Sequence, residues 1–349
     1  MPSGSPFSRH PCSSSNPRLV ERTQTLLQAG LAATTTSLYR TGSSRYEAFA
    51  QQEGIRAYPT SEHTLCLFVT HLCAIDPTTP SRRTVSAATA RLYIAGVYHA
   101  QEMLGIRVDG SKFRVLAQTL RGAEKQAPSL RPPRPTRVPI TIRDITDAAV
   151  HLPRTYTGIM CVAAMYVAVG AALRISELLG QMGVSPSNAD SRALRLSQLR
   201  ELPSPHPHFV LTIFAHKTDQ RGQGTEIVIG HPQAVDHIRM FLASHPKPSD
   251  GDARGPLLFV FPDGIPLSSR YLLLVIRPAF ASIGIDPRGI SGHSFRKGGA
   301  TGLANAGVDD SLVRAHGRWK SNAYLRYIVP SRSSLINATR KSPSDPSLH

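Results

Sequence analysis

The chain has 349 residues, of which 41% are hydrophobic and 18% are charged, and this balance excludes a protein that is disordered throughout. Its 40 Lys and Arg residues exceed its 23 Asp and Glu residues by 17. The excess favours a polyanionic partner such as nucleic acid, because every neutralised phosphate releases condensed counterions. No secretory signal and no run of eighteen apolar residues occurs, so the sequence predicts a soluble, intracellular protein with no membrane partner.

Composition divides the chain into two blocks, two tails and a linker. Residues 1–17 and 331–349 are rich in Ser and Pro and are predicted to be disordered tails. Residues 18–126 show helical periodicity throughout, whereas residues 140–330 show mixed patterns. Between these blocks, residues 127–139 contain five prolines and three arginines. Because proline fixes φ and lacks an N–H, neither a helix nor a central strand is expected to run through this linker.

In chain order, the first block predicts a bundle of four or five helices. Its helical stretches are 19–31, 34–52, a segment that begins after the N-cap Ser61, 86–104 and 112–125. The second block predicts helices at 142–152, 155–170, 234–244, 268–283, 294–306 and 309–315, and strands at 193–199, 209–215 and 226–229. The last two strands flank a polar, glycine-containing turn, which is typical of a hairpin. The expected fold class is mainly α with a small β-sheet (α+β).

Four motifs that carry candidate catalytic residues follow one another in the second block. They are Ala-Leu-Arg174-Ile-Ser-Glu177, Ala-His216-Lys217-Thr-Asp, Gly-His293-Ser-Phe-Arg296-Lys-Gly and His316-Gly-Arg-Trp319-Lys-Ser-Asn-Ala-Tyr324-Leu-Arg-Tyr327. A His-x-x-Arg pair alone is weak evidence for a function. The ordered set of Arg, Lys, His-x-x-Arg, Trp and Tyr inside a basic chain is far more specific.

This ordered set resembles the tyrosine recombinases, the phage-integrase family. The pieces HSFRKGGAT and GRWKSNAYLRYI are most similar in style to the DIRS-like and Crypton-like recombinases of eukaryotic mobile elements. The resemblance covers residues 140–330 well, as a tyrosine recombinase catalytic domain. It covers residues 34–125 more weakly, where the family carries a helical core-binding (SAM-like) domain that clamps DNA.

The resemblance implies a site-specific DNA recombinase or integrase that cleaves and rejoins DNA through a 3′-phosphotyrosyl intermediate, without metal, ATP or another cofactor. It also implies a homotetramer on paired sites of double-stranded DNA, in the nucleus if the source is eukaryotic and otherwise in the cytoplasm. Two other functions are compatible with the same residues. One is a type IB topoisomerase-like enzyme, and the other is a domesticated DNA-binding protein that lacks strand transfer.

The chemistry explains the residue types of the motifs. Attack on a phosphodiester adds negative charge to its nonbridging oxygens, and the planar guanidinium groups of Arg174 and Arg296 suit that charge. By the resemblance, Lys217 protonates the leaving 5′ oxygen, and Tyr327 is the nucleophile. His293 would orient a phosphate oxygen or take the tyrosine proton. The indole N–H of Trp319 would donate to a nonbridging oxygen.

Several assignments stay open at the level of sequence. Tyr324 lies one turn before Tyr327 and is the alternative nucleophile, although the "YI" ending of the family matches at Tyr327. His316 is the alternative to Trp319, and His216 is the alternative to Lys217. Glu177, three residues after Arg174, is expected to support the fold and not to react.

No metal ligand set is expected. The four cysteines lie far apart, and His206 and His208 lie in a proline-rich loop without an acidic neighbour, so neither a metal nor a cofactor is predicted.

Basic residues from the end of the first block through the linker predict a surface that tracks DNA phosphates, as one side of a C-shaped clamp. The candidate DNA-binding residues are Lys112, Arg114, Arg121, Lys125, Arg131, Arg134 and Arg137. Contacts of this kind set the position of a protein on a duplex and carry no sequence information, so no target site is predicted.

Overall fold

A computed structural model describes residues 16–74, 84–107, 109–130, 136–179, 193–214, 224–246, 255–330 and 336. The chain divides into two compact units, Met1–Arg134 (unit 1) and Pro135–His349 (unit 2). The division falls within the predicted linker. In the described part of the chain, no helix is both long and apolar enough to cross a membrane.

Unit 1 is helical. Among its described residues, the helices are α1 (Pro17–Ala29), α2 (Ala33–Gln52), α3 (Glu62–Cys73), α4 (Ala87–Met103) and α5 (Arg114–Leu130), with a 3₁₀ turn at Gly110–Lys112. The predicted N-cap at Ser61 is confirmed, since its hydroxyl accepts a hydrogen bond from the Thr64 N–H at 3.1 Å. Ser86 caps α4 in the same way.

The core of unit 1 comes from α2, α3, α4 and α5. Its larger buried side chains are Tyr46, Phe49, Leu65, Phe68, Ile94, Val97, Leu116 and Leu120. By contrast, Leu19, Leu26 and Leu27 of α1 are exposed. The apolar pattern of the first predicted helix therefore forms a helix, but these leucines do not enter the core.

The predicted linker starts too early. Helix α5 continues to Leu130 and includes Pro128, so the expectation that no helix runs through residues 127–139 is wrong at its first residues. Pro128 lies in the last turn of α5. There its missing N–H removes one hydrogen bond from a helix that earlier turns have already nucleated.

Unit 2 combines helices with one small sheet, as predicted. Its helices are α6 (Ile142–Ala149), α7 (Tyr156–Gly170), α8 (Ile175–Leu178), α9 (Pro232–Ala243), α10 (Ser269–Ser282), α11 (Ser294–Asn305) and α12 (Asp310–His316), with 3₁₀ turns at Leu196–Gln198, Pro287–Gly289 and Asn322–Arg326. The strands are β1 (Leu199–Leu202), β2 (His208–Ile213) and β3 (Thr225–Ile229), in the antiparallel order β1-β2-β3. Leu211 of β2 lies opposite Leu199 and Ile227. The expected β2–β3 hairpin is confirmed, although most of its turn lies outside the described residues.

The first predicted strand, at residues 193–199, is wrong. Residues 196–198 form a 3₁₀ turn, and the strand begins only at Leu199. Upstream of the strand, the Leu196 N–H donates to the Pro256 carbonyl at 3.0 Å and not to the sheet. Leu194 and Leu199 are buried all the same, so the apolar residues of this segment indicate burial, whereas a local pattern does not identify the hydrogen-bonding partner.

Helix α7 lies at the centre of the core of unit 2. Every side chain from Met160 to Val169 is buried, which is the pattern of a helix that is surrounded on all sides. Helices α9 and α11 and strand β3 all pack against it. The residues that follow α7 stay buried and lie beside α11 and α12, because the Ala172 carbonyl accepts from Arg296 and the Gly170 carbonyl accepts from His316.

Candidate active site

A cavity of about 370 Å³ opens on unit 2. Its lining comes from three of the four motifs and from the end of the linker: Arg137, Arg174, His293, Lys297, Trp319, Ala323, Arg326 and Tyr327. Four of these side chains are Lys or Arg and none is acidic. This cationic cavity therefore suits an anion such as a phosphate.

Arg174 enters the cavity from the start of α8. Its backbone N–H donates to Oε2 of Glu177 and its guanidinium donates to Oε1, both at 2.8 Å. The side chain of Arg174 is 31% exposed. Since a guanidinium carries five N–H donors, the bonds to Glu177 orient it and leave other donors for an anion.

Glu177 holds three arginines together. Besides Arg174, its carboxylate lies 3.3 Å from Arg318 and 3.7 Å from Arg296. Burial by itself would raise the pKa of Glu177, but the Arg318 charge, the Arg174 N–H and the charges of Arg296 and Arg174 oppose it, and the pKa is lowered. Glu177 therefore stays ionised at neutral pH and fixes the guanidinium groups around it.

Arg296 lies behind the cavity wall. It is 1% exposed, and its two terminal nitrogens donate to the carbonyls of Ala172 at 2.7 Å and Gly317 at 2.6 Å. Its guanidinium carbon lies 4.4 Å from the centre of the Trp319 ring, in a cation–π contact. Burial and the charge of Arg174 lower the pKa of Arg296 to about 10, so it stays charged at neutral pH.

The Gly-Arg-Trp segment shapes this wall. Arg318 has φ +57°, a left-handed conformation that is uncommon for residues other than glycine. The turn brings its guanidinium to Glu177 and to the Ala171 carbonyl. A Cβ atom on Gly317 would lie 1.6 Å from the Trp319 ring, so only glycine lets the ring pack against the chain here.

The two candidate histidines differ in what they face. His293 is half-buried at the start of α11 and lines the cavity. Burial and the charges of Arg137, Arg174 and Arg296 lower its pKa, so its imidazole is neutral at pH 7. His316 instead donates from Nε2 to the Gly170 carbonyl at 2.7 Å and is not part of the lining.

The two candidate tyrosines also differ. Tyr324 is 4% exposed, and burial together with the Asp310 carboxylate raises its pKa. Tyr327 lines the cavity, with its ring centre 5.8 Å from that of Trp319. The hydroxyl of Thr301 on α11 donates to the Tyr327 carbonyl at 3.0 Å. The helix that carries Arg296 therefore also holds the backbone of Tyr327 in place.

Solved structures share this arrangement of elements. The XerH site-specific recombinase bound to palindromic difH substrate, a post-cleavage complex, is 14% identical, with 96% of this chain and 92% of that chain covered and a TM-score of 0.57. The Tn1549 transposon integrase in complex with circular intermediate DNA is 16% identical, with 91% and 97% covered and a TM-score of 0.53. The fold is that of a tyrosine recombinase. No protein-family model and no curated protein matches the sequence.

Within this recombinase fold, the predicted residues of the second motif and part of the linker cannot be placed. Lys217 and its alternative His216, and the linker residues Arg131 and Arg134, lie outside the described residues. No cluster of three potential metal ligands occurs among the described residues.

The predicted DNA-binding residues of unit 1 lie on its surface. Arg114, Arg121 and Lys125 are exposed on α5, and their spacing of seven and four residues puts them on one helix face. We call these three residues the α5 stripe. Lys112 precedes them and pairs with Asp109 at 3.1 Å. The stripe lies opposite Leu116 and Leu120, which face the core of unit 1.

Sequence reasoning missed four residues around the cavity. Arg318, Lys297 and Arg326 lie within the recognised motifs, each beside a residue that was selected, and Thr301 ends the HSFRKGGAT segment. Their positions in the motifs were a usable signal. The motifs did not indicate the direction in which each side chain points, since neighbouring residues on an irregular turn can point into the protein or into solvent.

Proposed function

We propose that this chain is a site-specific DNA recombinase or integrase that cleaves and rejoins duplex DNA through a 3′-phosphotyrosyl link to Tyr327. One observation carries the proposal: Tyr327 lines the same cationic cavity as Arg174 and His293, and Trp319 and Arg296 are stacked at its wall. The fold shared with site-specific recombinases supports it. The motif style further favours an origin in a eukaryotic mobile element and, with it, a nuclear location.

In the first step, the phenolic oxygen of Tyr327 attacks phosphorus and the bond from phosphorus to the 5′ oxygen breaks. His293 is neutral and takes the phenolic proton. Arg174 donates to the nonbridging oxygens on which negative charge develops, and the buried charge of Arg296 stabilises that charge from behind Trp319. The leaving 5′ oxygen takes a proton from Lys217, a role that the motif resemblance assigns.

Rejoining reverses these bond changes. A 5′ hydroxyl attacks the phosphotyrosyl group, the phosphorus–oxygen bond to Tyr327 breaks, and the phenol regains its proton. The phosphotyrosyl bond conserves the energy of the broken phosphodiester, so the cycle needs no ATP. A strand exchange between two duplexes, on a homotetramer, would use this step with a 5′ hydroxyl from the partner duplex.

The test is selection of bound DNA from a genomic pool, followed by covalent trapping on a nicked suicide substrate that contains the selected site. Wild-type protein should become linked to DNA, Tyr327→Phe should not, and the matched variant Tyr324→Phe should still be linked. A covalent complex with Tyr327→Phe would refute the nucleophile. No complex with wild-type protein at any selected site would favour a DNA-binding protein that lacks strand transfer.

A second readout separates a recombinase from a topoisomerase-like enzyme. Two duplexes that carry the selected site should yield Holliday junctions with wild-type protein. Relaxation of supercoiled DNA without any junction would instead favour the topoisomerase-like function.

A further inference from the structure

The end of the linker is built into unit 2. The Val138 N–H donates to the Gly289 carbonyl at 3.2 Å, and the Ile140 N–H donates to the Ser294 carbonyl at 3.1 Å. The Ile140 side chain is fully buried. A Cβ atom on Gly298 would lie 1.6 Å from the Ile140 carbonyl oxygen. Residues 136–140 therefore pack directly against the helix that carries His293 and Arg296.

Arg137 directly precedes the first of these two backbone anchors. Nζ of Lys297 donates to the Arg137 carbonyl at 2.9 Å and adds a third anchor. The side chain of Arg137 lines the cavity together with Tyr327. Within the described ranges, no carboxylate pairs with its guanidinium, in contrast to Arg174 and its bond to Glu177. The linker thus places a guanidinium that no described carboxylate engages in the same cavity as the candidate nucleophile.

The other two arginines of the site have part of their donors occupied. Arg174 is bonded to Glu177, and the terminal nitrogens of Arg296 are bonded to two backbone carbonyls behind Trp319. A phosphate in the cavity has two nonbridging oxygens that accept several hydrogen bonds. The guanidinium of Arg137 can donate to these phosphate oxygens without giving up an ion pair with a described carboxylate. After burial, its charge is also the main influence that lowers the pKa of His293.

We propose that Arg137 binds the scissile phosphate as a third arginine of the reaction site, and that Lys297 positions it there. This inference rests on the proposed function and deepens it. The linker then does more than connect two units, because its last residues supply part of the site that neutralises the transition state.

The first test compares Arg137→Ala with Arg239→Ala. Arg239 is a matched control, since Glu201 and Asp236 engage its guanidinium on the surface of α9. On the selected site, Arg137→Ala should slow single-turnover cleavage by about 100-fold, as loss of one transition-state donor does. Arg239→Ala should cleave at the wild-type rate. Wild-type cleavage by Arg137→Ala would overturn the inference.

A substrate with an uncharged methylphosphonate at the scissile position separates phosphate binding from a structural role. It lacks the charge that Arg137 neutralises, so Arg137→Ala and wild type should cleave it at about the same rate. An equal loss on both substrates would mean that Arg137 only supports the fold, and would overturn its role at the phosphate.

A third readout does not depend on cleavage. The logarithm of the DNA-binding constant falls linearly with the logarithm of the salt concentration. The magnitude of this slope should decrease by about one in Arg137→Ala and stay unchanged in Arg239→Ala. If wild type cleaves nothing, the proposed function fails, whereas the slope still decides whether Arg137 binds a phosphate. An unchanged slope in Arg137→Ala would refute that contact.

A double-mutant cycle tests the positioning role of Lys297. Lys297→Met keeps the length of the side chain and removes the bond to the Arg137 carbonyl. If Lys297 acts through Arg137, the double variant should cleave no more slowly than Arg137→Ala. Additive losses would show that Lys297 acts independently and would overturn its positioning role.

Discussion

Unit 1 and unit 2 both present arginine, but in different physical settings. The arginines of the α5 stripe are exposed and follow the repeat of a single helix. Around the cavity, Arg174, Arg296 and Arg318 come from three separate segments and converge on Glu177. Exposed cations provide affinity for a polyanion, and this affinity is screened by salt. Cations that are held by buried partners keep a fixed geometry. Positive charge alone is sufficient to attract a polyanion, whereas stabilising a transition state requires guanidinium groups in a fixed arrangement.

The largest effect is expected at Arg296. Arg296→Lys keeps the charge but loses the planar fork that binds two carbonyls and stacks on Trp319. Single-turnover cleavage should fall by about 1,000-fold. The free energy of unfolding should fall by about 3 kcal/mol, as measured by urea titration, because the buried carbonyls of Ala172 and Gly317 lose their hydrogen bonds. Arg121→Lys on the α5 stripe should change neither quantity, and an equal effect of both variants would show that the buried arginine is no more sensitive than the exposed one.

Glu177→Gln should have the next largest effect, because it removes the charge that holds three arginines. Cleavage should slow by about 100-fold, since Arg174 loses its anchor. The lowered pKa of Glu177 means that its contribution to stability is present above its ordinary pKa and is lost as the pH falls through the lowered value. Unfolding at several pH values should therefore show a weaker acid dependence in Glu177→Gln than in wild type. Identical profiles would show that the arginines do not depend on this carboxylate.

A smaller effect is expected in the pH dependence of cleavage. The pKa of His293 is lowered, so its imidazole stays neutral below the ordinary value of 6.5. The cleavage rate should fall only when the pH drops through the lowered value. Arg137→Ala removes a neighbouring charge and should move this acid limb toward higher pH. His293→Gln should abolish the limb, and its persistence in that variant would assign it to another group.

The smallest effect per residue is expected on the α5 stripe. Arg121→Ala and Lys125→Ala should each reduce the magnitude of the salt slope of DNA binding by about one, which is the change expected when one phosphate contact is lost. At saturating protein, neither variant should slow single-turnover cleavage. A loss of cleavage at saturation would show that unit 1 also controls the chemistry.

Most helices, the β2–β3 hairpin and the motifs could be predicted from residues that lie close together in the chain. Helices could be predicted because their hydrogen bonds join residues four apart, and the N-cap at Ser61 was visible for the same reason. The order of the motifs was sufficient to select Arg174, His293, Trp319 and Tyr327, which the structure brings to one cavity. It could not separate Tyr327 from Tyr324, since both lie on the same short segment.

The direction of the charged side chains depends on contacts between segments that lie far apart in the chain. Arg296 bonds to the Ala172 carbonyl, 124 residues away in the chain, and no local pattern carries such a contact. The same holds for Arg318, which turns inward to Glu177, and for Arg137, which the linker brings into the cavity. Periodicity reports burial and helical repeat but not the identity of a distant partner. For this reason the motif reduced the candidate nucleophiles to Tyr324 and Tyr327, whereas the choice between them and the inward direction of Arg318 and Arg137 required the fold.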